Sequence, residues 1–397
     1  MAKTSVPSTD SSDKRVVPDA VRVPPLIEVF AQLPDWRKAR GKVYRLASLL
    51  MLVLAGLMCG KRGPWSIARW FRKLPFETRI AAGFPLGRSP APVTLFRLLW
   101  DLDAPTLEAA LRDWIRQVNS RLAAAGISWR IAIDGKTLRG AAKRGAQATH
   151  LLAAVSHELR LVLGQVAVDD KTNEITAIIA LLDLLVLQGR LVTVDALLTQ
   201  KTIAQAIRER GGDYLMVVKE NQPQLLEDIR MCFDDEPLFG EVRGTARMLN
   251  KGHGRLEERE IVTSSALRDF LADWPGLEQV LKITRTVTHL KTRQTTTETV
   301  YAITSLPTEH GSPPTLLEAS RGHWTIENRV HWVRDVTLGE DNCAVHKNGA
   351  HQVLAALRNL LLTLVWLDGY TSAAAAIDEY SAQPLQAFRS MGLTTGL

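Results

Sequence analysis

The hydrophobic pattern of this chain changes character near residue 128. Before it, over residues 25–125, apolar positions recur at helical spacing. "LIEVFAQL", "KVYRLASLLMLVLAGLMCG", "PWSIARWFRKL", "PVTLFRLLWDL" and "APTLEAALRDWIRQVNSRLAAAG" each read as a helix, and several open on a proline, which a first helical turn accepts. After it, short apolar runs alternate with helical stretches. "SWRIAIDGK" reads as a strand ending at Asp134, "HLLAAVSHELRLVLGQVAVDD" as two strands, and "NEITAIIALLDLLVLQG" as a helix stopped by glycine. "RLVTVDA" is a second strand ending in an acid, Asp195. "TQKTIAQAIRERGG" is a helix and "DYLMVVKEN" a buried strand. The order β-β-β-α-β-α-β predicts a mixed sheet with helices packed on it.

Residues 240–310 interrupt that alternation. Three runs rich in Thr, Val and Ile, "RLEEREIVTSS", "EQVLKITRTVTHL" and "RQTTTETVYAITSL", predict a small antiparallel insertion. A helix is then expected from about Leu316 to beyond Glu327, and a buried one at "HQVLAALRNLLLTLVWL". The pattern thus divides the chain into a flexible leader (1–24), a helical domain (25–125) and an α/β domain (126–397) carrying the β-rich insertion.

Charge sharpens this division. The net charge is +7, but residues 24–100 hold 13 Lys/Arg against three acids, a local balance of +10. A basic helical module beside a mildly acidic body suggests a polyanion-binding part joined to a part with another role. Trp65, Arg69, Trp70, Arg72 and Lys73, then Thr94, Phe96 and Arg97, sit on two short helices that resemble a helix-turn-helix. The aromatics of these helices fit a core equally well. The three cysteines, Cys59, Cys232 and Cys343, are far apart and form neither a disulfide framework nor a metal-binding pair, as a reducing cytoplasm allows. "LASLLMLVLAGLMCG" has 15 residues, too few to cross a bilayer, and reads as a buried helix, so no membrane association is expected.

Chemistry points to acids at strand ends. Carboxylates leaving "IAID" and "VTVD" would sit at the rim of the sheet, where open α/β folds bind ligands. Adjacent strands would let them share a hard cation, which takes oxygen ligands. The stretch "RGHWTIENRVHWVRDVTLGED" offers a third acid, Glu327. At α-helical spacing it shares a face with His323, His331 and Arg334. A rival reading has His323, Glu327 and His331 binding Zn²⁺. Three ligands strung along two turns cannot easily surround one ion, and no HExxH helix is present.

Asp134 in "AIDGKTLRGA", Asp195 in "VTVDALLTQK" with "YLMVVKENQ" after it, and Glu327 in the long stretch above resemble the DDE transposases of bacterial insertion sequences. The match is to the ISAs family and its H-repeat-associated relatives, and it runs from about residue 25 almost to the end of the chain. The resemblance implies a ribonuclease-H-like core in which Asp134, Asp195 and Glu327 are both catalytic residues and ligands of two Mg²⁺ ions, replaceable by Mn²⁺, about 3.5–4 Å apart. It implies nicking at element ends, joining of the freed 3′-hydroxyl to target DNA, and a homodimer in the DNA-bound complex. Lys136, Lys219, Arg321, His323 and Arg334 become candidate DNA contacts beside Arg69, Arg72, Lys73 and Arg97. A domesticated, inactive DNA-binding relative and a metal-dependent nuclease without strand transfer are the alternatives.

Overall fold

The computed structural model describes residues 24–84, 87–124, 129–138, 149–158, 162–168, 174–234, 244–252, 254–324, 326, 330–340, 343, 345 and 349–393. Nearly all of the expected leader, and Glu327 itself, lie outside these residues. In chain order the elements are helices α1 (Leu26–Ala31), α2 (Leu46–Met58), α3 (Pro64–Lys73), α4 (Phe76–Ala81), α5 (Pro92–Asp101) and α6 (Ala104–Ala124). There follow β1 (Arg130–Leu138), β2 (Thr149–Ser156), β3 (Val162–Val168), α7 (Glu174–Leu182), β4 (Leu191–Val194), α8 (Lys201–Glu209), β5 (Asp213–Val218) and α9 (Pro223–Asp234). The chain continues through β6 (Gly244–Gly252), β7 (Arg255–Ser264), β8 (Gln279–His289), β9 (Thr295–Thr304) and α10 (Pro313–His323). It closes with α11 (Ala350–Leu367), α12 (Ala373–Ala382) and α13 (Pro384–Ser390).

By their contacts these residues form two compact units, one running to Asp101 and resuming at Leu357, the other Leu102–Ala356. The hydrophobic pattern grouped Ala104–Ala124 with the helices before it. By contacts α6 belongs with the sheet, where it packs on β3. The C-terminal helices group instead with the N-terminal ones: the Leu26 amide donates to the Met391 carbonyl at 3.0 Å. Within that unit α2 is buried at all 13 positions, as its unbroken apolar run demands, and packs with α1, α3, α5, α12 and α13. One described helix, α11, has the length and hydropathy of a membrane span, and 83% of it lies buried inside the protein.

In the other unit all nine described strands form one mixed sheet, ordered β3-β2-β1-β4-β5-β9-β8-β7-β6. β1, β4 and β5 are parallel to one another and every other pairing is antiparallel. The β-rich stretch forms the expected antiparallel strands, and these continue the main sheet. β9 pairs with β5 from Leu215↔Thr304 to Val218↔Tyr301, and β8, β7 and β6 extend the same sheet. β6, whose sequence "GTARMLNKG" has a single β-branched residue, Thr245, where its neighbours have several, has no signature in the pattern.

Helix α10 lies across this extended sheet. Its Leu316, Leu317 and Ala319 are buried with Leu191 of β4, Leu215 of β5, Ile261 of β7, Ile283 of β8 and Ala302 of β9. Each fully buried leucine contributes about 1.5–3 kcal/mol. That contact anchors the C-terminal end of α10 above the strands that carry the acids.

Candidate active site

β1 does not stop at Asp134, as the apolar run suggested, but continues to Leu138 against β2. On its other side the ladder to β4 ends at Ile133↔Val194. Asp134 and Asp195 are the next residues on the two neighbouring strands, so the short length of β4 is what puts both acids at the rim. Both line one cavity of about 350 Å³.

Short local bonds hold each acid. The Gly135 amide donates to Asp134 Oδ1 at 2.8 Å. A Cβ at this position would lie 2.7 Å from Nε2 of His150 on β2, so that side chain would have to shift. Asp195 caps the 3₁₀ turn Ala196–Leu198, accepting from the Leu198 amide at 3.3 Å. The "KENQ" stretch after β5 fastens this turn: Asn221 Nδ2 donates to the Ala196 carbonyl at 2.7 Å and Gln222 Nε2 to the Thr199 carbonyl at 3.0 Å. Thr199 Oγ1 donates to the Val217 carbonyl at 2.5 Å. The motif thus positions the Asp195 loop.

The "RGHW" stretch closes the cavity from α10. His323 Nδ1 lies 3.0 Å from Thr193 Oγ1, and the same hydroxyl lies 3.0 Å from Nε2 of the buried His157. Burial pushes His157 down to about 3 and His323 down to about 4, the nearby Asp195 carboxylate opposing the shift at His323. Both rings are neutral at pH 7. Gly322 rests on the His157 ring, leaving no space for a Cβ.

The helix expected to run past Glu327 crosses residues outside those described; on either side of them Ile326 and residues 330–337 are helical. α10 ends at His323, and Val333–Thr337 is π-helical. Of the face predicted from α-helical spacing, His323, His331 and Arg334 are described, and each has its own partner. His331 Nδ1 is 3.6 Å from Asp134 Oδ2, and burial, with Arg334 and Lys136 close by, holds its pKa down to about 3. His323 and His331 thus face different partners, Thr193 and Asp134.

The candidate DNA contacts divide. Lys219, Arg321 and His323 line the cavity with the two acids. Lys136 is buried and donates to both oxygens of Asp335 at 2.6 Å. Arg334 is fully buried and pairs with Glu340, Nε to Oε2 at 2.8 Å and Nη2 to Oε1 at 3.0 Å. Neither cation presents a surface to a phosphate. The neighbours of these cations in the linear sequence gave no sign of which carboxylates they pair with. In the helical unit Arg69, Arg72, Lys73 and Arg97 are all exposed, and Trp65 is 66% exposed rather than part of the core. Arg259, Arg285 and Glu298 also line the cavity. As polar residues on amphipathic strands they carried no distinguishing signal.

Among the described residues no three His, Cys, Asp or Glu side chains cluster as a metal site. The donor chemistry of the pair nevertheless fits a hard divalent ion. Two carboxylates side by side at a sheet rim supply oxygen ligands, and half-burial leaves room for water and substrate oxygens.

A family model described as "Transposase DDE domain" matches residues 126–364, and one described as "DDE_Tnp_1-associated" matches residues 27–115. The chain is 28% identical to "H repeat-associated putative transposase YhhI" of Escherichia coli K12, over 86% of this chain and 90% of that one. It is 30% identical to "Putative transposase YncI" of Escherichia coli O157:H7, over 86% and 87%. A solved piggyBac transposase in a synaptic complex with hairpin DNA covers 94% of this chain and 80% of its own, at 9% identity and a TM-score of 0.44, a likeness too distant to carry inference.

Proposed function

This chain belongs to the family of transposases with a DDE domain, and from that premise we propose that it cleaves DNA at the ends of an insertion sequence and joins the freed 3′-hydroxyl to target DNA. The observation that carries the reading is the placement of Asp134 and Asp195 on adjacent parallel strands, one residue past their last shared pair, in one cavity. The meander β1-β2-β3 joined to parallel β4 and β5 supports a ribonuclease-H-like catalytic domain. Glu327 is the third carboxylate of the proposal.

Asp134, Asp195 and Glu327 would hold two Mg²⁺ or Mn²⁺ ions. When bound, these supply Lewis-acid activation of the attacking hydroxyl and charge stabilisation at the leaving oxygen. The protein's own part is placement. Asn221 and Gln222 fix the Asp195 turn, Gly135 fixes Asp134, and α10 holds His323 neutral beside the acids. Lys219 and Arg321 face the same cavity and would attract the DNA backbone. In the helical unit the exposed Arg69, Arg72, Lys73 and Arg97 would contact element-end DNA. Pairing of two ends would assemble a homodimer on DNA.

Incubation of the full chain with its element ends and Mg²⁺ tests this. Asp195→Asn and Glu327→Gln should each reduce cleavage about a thousandfold or more, the loss of several kcal/mol of metal-assisted stabilisation. Their melting temperatures should stay near that of the parent. An Asp195→Asn protein that cuts normally refutes the assignment. Nicked product without joined product would restrict the activity to a nuclease.

A further inference from the structure

Three guanidinium groups line the cavity that holds the two acids. Arg259 on β7 and Arg285 on β8 are directly paired across the sheet. Like charges facing each other on adjacent strands are destabilising. Glu257 bridges them: Arg259 Nη2 reaches its Oε1 at 2.6 Å and Arg285 Nη2 its Oε2 at 3.0 Å. Glu298 lies 4.0 Å from Arg285 Nη1. A third guanidinium, Arg321 of α10, comes from above with its Nη1 3.2 Å from the Met248 sulfur. Three cations share two carboxylates, leaving a positive excess.

Hydrogen bonding is also incomplete. The Arg259 side chain is only 13% exposed, yet among the described residues its Nη1 has no hydrogen-bond partner, and neither has Nε of Arg285. A buried donor left unmade costs about 1–3 kcal/mol, more when charged. Internal stability does not account for keeping two of them in facing positions. All three arginines line the cavity that holds Asp134 and Asp195. A guanidinium presents a planar fork of donors matched to paired phosphate oxygens.

We propose that Arg259 and Arg285, with Arg321, form a phosphate subsite that grips one backbone phosphodiester of the DNA strand beside the linkage that reacts at Asp134 and Asp195. Glu257 holds the two facing guanidiniums at a fixed separation, and the phosphate meets the parts of the three guanidiniums that line the cavity. The inference rests on the reading of DNA as substrate. It also accounts for the β6–β9 half of the sheet, whose extension brings a basic wall to the acids.

The test is a binding titration of the full chain, in Ca²⁺, against element-end duplexes that each carry one neutral methylphosphonate near the cleaved bond. With wild-type protein one position should weaken binding roughly ten- to hundredfold, the scale of a lost charge-assisted contact. Arg259→Gln should weaken binding to the unmodified duplex by a similar factor and become indifferent to neutralisation at that position. Arg285→Gln, at a half-exposed site less demanding of the fold, should show the same coupling. Additive losses in both variants at every position would overturn the subsite while leaving DNA binding intact. Wild-type protein that retains no duplex at all would overturn the DNA reading and the subsite with it.

Discussion

At the scale of single residues, ion pairs decide what each charge can do. Arg334 and Lys136 read in sequence as cations flanking catalytic acids, but each is consumed by an internal carboxylate. For Arg334 the consequence is measurable. Arg334→Gln leaves Glu340, itself 6% exposed, without its guanidinium. Removing one partner of a buried pair should cost about 3–5 kcal/mol, read as a lower urea midpoint. Replacing both partners with apolar residues of similar volume should restore most of that loss. If Arg334 served chiefly to contact phosphate, the single variant would lose DNA affinity and keep its stability.

At the scale of elements, the approach of α10 to the sheet organises the site. The helix reaches the acids because Gly322 has no side chain where the His157 ring packs. Gly322→Ala must move either a helix anchored by Leu316, Leu317 and Ala319 or a histidine held by Thr193. Overpacking of this kind should destabilise the protein by about 1–3 kcal/mol. Because the displaced helix carries His323, activity should fall further than stability alone explains. Chemical denaturation alongside cleavage kinetics at a temperature where the variant is folded separates the two effects. Unchanged stability would mean the helix and ring are not in the contact described.

At the scale of the whole molecule, buried neutral histidines tie stability to pH. The folded state holds His157 at about 3, while an unfolded chain has the ordinary value near 6.5. As pH falls from 6.5 towards 3, the unfolded chain gains a proton that the folded one does not, so folding is progressively disfavoured. Between pH 7 and pH 5 the loss from His157 should be about 2 kcal/mol. His323 and His331, lowered for the same reason, add in the same direction. Urea unfolding at the two pH values measures the total, and a His157→Met protein should show a correspondingly shallower dependence. An identical slope in that variant would place the acid sensitivity elsewhere.

Local chemistry made much of this protein readable from its sequence. Helices α1, α2, α3, α5, α6 and α11 announce themselves by apolar spacing, and β1, β4 and β5 by short hydrophobic runs, because burial selects residues at the period of the backbone. Asp134 and Asp195 were visible for the same reason: an acid ending such a run has to be at an edge. The tertiary structure alone decided that these edges adjoin, since strand order is a long-range choice that no local period encodes. It alone joined β6–β9 to the main sheet and brought Arg259 and Arg285 to the cavity of the acids. It also closed Lys136 and Arg334 into internal pairs. A charge looks the same in sequence whether its partner is solvent, DNA or a carboxylate 199 positions away, as Asp335 is from Lys136.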